Sequence, residues 1–233
     1  MTKKLFTDDA YLKQCTAQVT ATTEQGIVLD QTIFYAMGGG QPGDTGTLEF
    51  DDQFIEVIDT RYGDGGSIVH LVAEGTELPA VGTEVTATLD WDRRYRHMRM
   101  HTCMHLLGAV LKFPVTGGSV NAQKSRLDFD MEDTVDKVAV TEKLNALINS
   151  NTDVSSVWIS EAELDAQPEL IRTMSVRPPR GVGDIRLLKI GEIDLQPCGG
   201  THLKNTSEIG TATVSKVEKK GRQNRRVHVV LAP

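Results

Sequence analysis

The sequence predicts an α+β protein, and three observations carry that prediction. The first ninety residues are rich in short β-branched, often alternating runs punctuated by Gly, Asp and Pro. One long helix-forming stretch begins near Trp91. Beyond it, amphipathic helical segments are mixed with antiparallel-looking strands, the pattern of helices packed on a mainly antiparallel sheet.

In the first part, CTAQVTAT, GIVLD, TGTLEF, FIEVIDT, SIVHLVA and EVTATLDW read as strands, and their spacing suggests a small β-barrel or curled sheet. The loop Gly38-Gly39-Gly40-Gln41-Pro42-Gly43-Asp44 interrupts them. It is no nucleotide-binding P-loop, because no Gly-Lys-Ser/Thr follows and no helix starts there. The helix is expected over about Arg93 to Lys112, with Asp92 as its cap and Pro114 just beyond its end. SRLDFDM then alternates as a strand. The stretch from about Thr134 to Asn149 is an amphipathic helix with Val138, Leu144, Leu147 and Ile148 among its apolar positions. VSSVWIS is a strand, EAELDAQPELI holds a short helix, and IRLLKIG, IDLQPC, GTATVSKVEKK and RRVHVVLA complete a second sheet. Two domains are therefore expected, residues 1–90 and 91–233.

Composition narrows the function classes. With 39% apolar and 24% charged residues the chain is of ordinary globular type, and no apolar run approaches the ~20 residues that cross a bilayer. The first residues, MTKKLFTDDAYLKQ, lack a signal peptide's apolar core. Three dispersed cysteines are not a disulfide framework, so the cytosol is expected. A net charge of −7 argues against a protein that coats nucleic acid. Yet Lys216, Lys219, Lys220, Arg222, Arg225 and Arg226 face only Glu218 within one short segment, which suits phosphates or a solvated hairpin turn.

Two pairs of metal-type ligands stand out: His101-x3-His105 in the helix, and Cys198-x3-His202 in QPCGGTHLKN. Residues four apart share one helical face, and Gly199 and Gly200 let the backbone curl so that thiolate and imidazole converge. Three nitrogens and one sulfur suit tetrahedral Zn²⁺. His97 continues the histidine stripe and reads as a surface histidine or one behind the ligands, with a spare ligand as the alternative. Thr102 stands where a metalloprotease has its glutamate base, so that chemistry is excluded. Cys103, about 200° round the helix from the histidines, and Met98, Met100 and Met104 read as core.

HTCMHLL followed far downstream by CGGTHLKNTSEIG resembles the editing domain of alanyl-tRNA synthetase, and more closely the free-standing alanyl-tRNA editing proteins of the AlaX family, medium-length type. FYAMGGGQPGDTG, the RMHT helix, VTGGSV, SRLDFD and KVEKKGRQNRRV extend the resemblance over most of the chain. It implies an N-terminal β-barrel, an α/β editing domain, and Zn²⁺ held by His101, His105, Cys198 and His202. It also implies a trans-acting deacylase that hydrolyses tRNA(Ala) mischarged with serine, and in some members glycine. The same quartet would serve a non-catalytic tRNA-binding module with structural zinc. Synthetase versions commonly carry a glutamine after the first metal helix, whereas this chain reads Pro114-Val115-Thr116-Gly117-Gly118-Ser119. Thr116, then Thr102, are the candidates to bond the substrate hydroxyl. Gly38, Gly39 and Gly40 are candidates for close approach of RNA. Lys219, Lys220, Arg222, Arg225 and Arg226 are the candidate tRNA contacts. The catalytic water is metal-bound or substrate-positioned, and no protein base is assigned.

Overall fold

In the computed structural model, described here for residues 1–174, 180–181 and 183–232, the chain divides into two compact units, Met1–Tyr95 and Arg96–Pro233. The first contains β1 (Lys3–Lys4), β2 (Gln14–Thr23), β3 (Gly26–Leu29), β4 (Gln31–Thr32), β5 (Gly46–Phe50), β6 (Gln53–Val57), β7 (Asp59–Tyr62), β8 (Ile68–Leu71) and β9 (Glu84–Leu89). Seven of these form one antiparallel sheet in the order β6-β5-β9-β2-β3-β8-β7, while β1 and β4 pair in parallel. The expected barrel does not close: β6 and β7 end the sheet as separate edges. The long strand β2 serves two partners, pairing with β9 over Gln14–Gln18 and with β3 over Val19–Thr23, with a bulge between Val19 and Ala21. Alternation accounts for the core, in which Ala17, Val19, Ile27, Leu29, Leu48, Ile55, Val57, Val85, Ala87 and Leu89 are buried with Ile33 and Phe34. His70 sits fully buried in this unit, bonded to Thr32 Oγ1 at 2.8 Å and Ile27 O at 3.0 Å, edge-on to the Phe34 ring.

Helix α1 (Trp91–Leu111) begins two residues before its expected start. Its cap is Asp90, not Asp92: Asp90 Oδ1 accepts from Arg93 N at 3.0 Å, and Asp92 lies in the first turn. Trp91–Tyr95, the start of α1, belong to the first unit, and the rest of the helix to the second. Arg94 is fully buried. Its guanidinium forms an ion pair with both oxygens of Asp44 and donates to Ile33 O and Ala10 O. Asp44 also accepts from Tyr35 N at 2.6 Å, so one buried pair fixes both ends of the Gly-rich segment.

The second unit continues with β10 (Val115–Ser119), β11 (Lys124–Asp130), α2 (Lys137–Ile148), β12 (Val154–Ile159), α3 (Glu161–Asp165), β13 (Ile185–Ile190), β14 (Asp194–Pro197), β15 (Ala212–Gly221) and β16 (Asn224–Leu231). The later strands fall into two sheets where one was expected: β10-β11-β16-β15 and β12-β13-β14, both antiparallel. Asp136 caps α2, accepting from the amides of Val138 and Ala139. The buried stripe of α2 is Val140, Leu144 and Ile148, spaced four apart, and Val138 lies outside it, exposed. Asn145 completes the start of β15, donating to Ala212 O at 2.8 Å and accepting from Ala212 N at 3.0 Å. Among the described residues no helix is long and apolar enough to cross a membrane.

Candidate metal centre and substrate strand

From His101 to Ala109, α1 is buried without a break, so its histidines lie inside the second unit, not on its surface. The loop after β14 brings Cys198 and His202 to them, and the four ligand atoms all lie within 4.8 Å of one another. Cys198 Sγ is 3.2 Å from His202 Nε2 and 3.7 Å from His101 Nε2, and the rings of His101 and His202 are 4.3 Å apart. Such a set could hold one metal ion. Neither Gly199 nor Gly200 has positive φ, so the loop does not rely on left-handed backbone. It is tied instead by Arg186, which donates to Cys198 O at 3.1 Å and Gly200 O at 2.7 Å, and by Thr102 Oγ1, which accepts from Leu203 N at 3.2 Å.

The electrostatics match a ligand set. Burial would raise the Cys198 thiol, but three imidazoles outweigh it and hold the pKa well below the ordinary value. Burial, aided by His101, holds His202 well below its ordinary value, which keeps it neutral. Burial also opposes protonation of His105, yet Cys198 and Asp194 push its pKa up to about 9. The buried Asp194 reaches His105 Nδ1 at 3.1 Å. His97 is buried and stands outside the quartet, and Cys103, Met98, Met100 and Met104 are core.

The remaining candidates divide. Thr102 is fully buried, with its hydroxyl 3.3 Å from His202 Nδ1 and accepting from Leu203 N. Thr116 lies on β10, donating to Asp128 O at 3.2 Å and accepting from Asn224 Nδ2 at 2.9 Å. Among the described residues Asn224 Oδ1 is buried without a hydrogen-bond partner, an acceptor beside Thr116. Nothing in the sequence singled Asn224 out. Arg126 and Asp128 pair with each other at 2.7 Å.

Gly38 to Gln41 form a tight turn in which each end's N–H meets the other's carbonyl. Gly39 (φ 54°) and Gly40 (φ 82°) take the left-handed conformation at its exposed tip. At the β15–β16 hairpin, Lys219, Lys220 and Arg222 are exposed. Arg225 is not a surface contact: it is buried and donates to the carbonyls of Asp133, Glu132, Gly221, Arg222 and Asn224. Arg226 is held by both oxygens of Asp128 at 2.8 Å.

Residues 4–93 match the class II (A) tRNA synthetase family, and residues 185–228 match the threonyl and alanyl tRNA synthetase second additional domain. An alanyl-tRNA editing protein AlaX-M of Methanosarcina mazei is 37% identical, over 99% of this chain and 97% of its own. The AlaX-M of Saccharolobus solfataricus is 33% identical over the whole of both chains. An alanine-tRNA ligase of Pyrobaculum aerophilum is 38% identical over 94% of this chain but 25% of its own length. Full-length likeness to the AlaX-M proteins, with the synthetase matches at both ends, places this chain in the family of alanyl-tRNA editing proteins.

Proposed function

We propose that the chain is a cytosolic, trans-acting deacylase that hydrolyses the ester of tRNA(Ala) mischarged with serine, and with glycine as a second substrate, at a zinc-containing site in its second unit. Family membership supports a hydrolase of aminoacyl-tRNA. The observation that carries the site is the convergence of His101, His105, Cys198 and His202 from two segments almost a hundred residues apart. The two S···N separations, 3.2 and 3.7 Å, straddle the edge of about 3.6 Å that a tetrahedral zinc site would have between sulfur and nitrogen.

The four side chains would hold the ion, which when bound would order the pocket or, on exchange of a ligand, supply a Lewis acid. Cys198 is the least buried of the four. Thr102 and Asp194 hold His202 and His105 by their Nδ1 atoms. Thr116 is the residue assigned to the serine hydroxyl: with one bond donated and one accepted, its oxygen keeps a lone pair, and Asn224 Oδ1 adds an acceptor. A substrate lacking the hydroxyl would leave those acceptors without a donor, which disfavours alanine and makes glycine, which lacks it too, the slower of the two proposed substrates.

The test is hydrolysis of seryl-tRNA(Ala) beside alanyl-tRNA(Ala), by zinc-loaded wild type and Cys198→Ala. Loss of serine alone, abolished in the variant, is expected. Folded, zinc-loaded wild type without turnover would replace this reading with a tRNA-binding module. Thr116→Val should cut seryl-ester hydrolysis about 10-fold or more with zinc still bound; unchanged activity would remove Thr116 from the pocket.

A further inference from the structure

His105 differs from His202 in what stands behind it. His202 Nδ1 meets the hydroxyl of Thr102, whereas His105 Nδ1 meets a carboxylate, Asp194 Oδ2, at 3.1 Å. The Asp194 side chain is completely buried. A buried carboxylate is stable only when paired, and this one is held twice more. Gln196 Nε2 donates to Oδ2 at 2.6 Å, and Arg172 Nη2 lies 3.2 Å from Oδ1. Arg172 in turn belongs to a segment that lies along β10: Val115 N donates to Arg172 O at 2.9 Å, and Met174 N to Val115 O at 2.8 Å. β10 carries Thr116. One carboxylate thus joins the candidate metal ligand to the candidate substrate strand.

We propose that Asp194 is the positioning residue of the metal centre. It accepts a hydrogen bond from the Nδ1–H of His105, leaving Nε2 as the atom that joins the ligand cluster, and Arg172 anchors it to the β10 segment. The charge of Asp194 makes the imidazole a stronger donor to a cation, and its two other partners prevent the ring from turning. The assignment rests on the metal reading above.

The experiment uses the full chain, wild type against Asp194→Asn, Asp194→Ala and Arg172→Gln, with Leu187→Ala as a control that loosens the same three-stranded sheet without touching His105. Zinc affinity is read by competition with a chromogenic chelator. The Nδ1 proton of His105 is read by imidazole nitrogen NMR of the zinc-loaded protein. Asp194→Ala should weaken zinc binding about 10- to 100-fold and lose the slowly exchanging Nδ1 proton. Asp194→Asn keeps the shape, so it carries the test if the alanine variant does not fold; its zinc loss should be smaller but measurable, and that of Arg172→Gln should be similar. Leu187→Ala should lower thermal stability and leave zinc affinity unchanged. Wild-type zinc affinity and a retained Nδ1 proton in both Asp194 variants would overturn the assignment while leaving the metal reading intact. A wild type that takes up no zinc would overturn both.

Discussion

At the scale of single residues, Arg94 and Asp44 show how much one pair can determine. Both are buried, and the guanidinium also serves two backbone carbonyls. Asp44→Asn would leave a buried cation without its counter-charge, so a loss of about 3–5 kcal/mol is expected in urea unfolding. Combining Asp44→Leu with Arg94→Met should recover part of that loss, because both charges then leave together. Arg225 makes a second case. Its guanidinium is occupied by the carbonyls of the 131–133 segment and of its own hairpin. Arg225→Ala should therefore lower the unfolding midpoint and leave tRNA affinity nearly unchanged, a result that filter binding beside thermal unfolding can check. In sequence, Arg225 and Arg226 read alike; only the fold turns one inward.

Elements carry the next level. The β3–β8 pairing encloses His70, whose pKa burial lowers to about 4 from an ordinary 6.5. The unfolded chain then binds more protons than the folded one between those values, so stability rises with pH across that window. Falling from pH 6.5 to 4 should remove about 3 kcal/mol, read as faster hydrogen exchange at Ile27 and Val69, and His70→Gln should flatten that dependence. The strands around it were legible because alternation in CTAQVTAT or EVTATLDW records a half-buried sheet directly. The convergent His and Cys pairs were legible too, since His101-x3-His105 and Cys198-x3-His202 are local spacings. Other features have no local signal. Whether β6 meets β7 depends on curvature summed over seven strands. Asp90 and Asp92 flank Trp91 symmetrically, and only geometry selects Asp90 as the cap. Asp194 sits in a strand where the sequence marks nothing unusual, because its partners His105 and Arg172 are distant in the chain.

For the whole molecule, the basic hairpin must act against a net charge of −7. Of its six cations, Arg225 and Arg226 are committed internally, and Lys216 and Lys220 lie near Glu218. Phosphate binding there would therefore fall chiefly to Lys219 and to Arg222, which is 88% exposed although 3.4 Å from Glu132. Replacing Lys219 and Arg222 by alanine should reduce the slope of log affinity for tRNA against log salt by about 1–2; an unchanged slope would make the hairpin a solvated turn. The acidic surplus has its own role in the open seven-stranded sheet. An unclosed sheet keeps bare margins able to recruit another chain. Strand β6 is one such margin and shows Phe54 to solvent, 69% exposed, yet Glu49, Asp51, Asp52 and Glu56 crowd its hairpin. Two copies approaching edge to edge at β6 would meet carboxylate against carboxylate, so charge guards a margin that a closed barrel would not have.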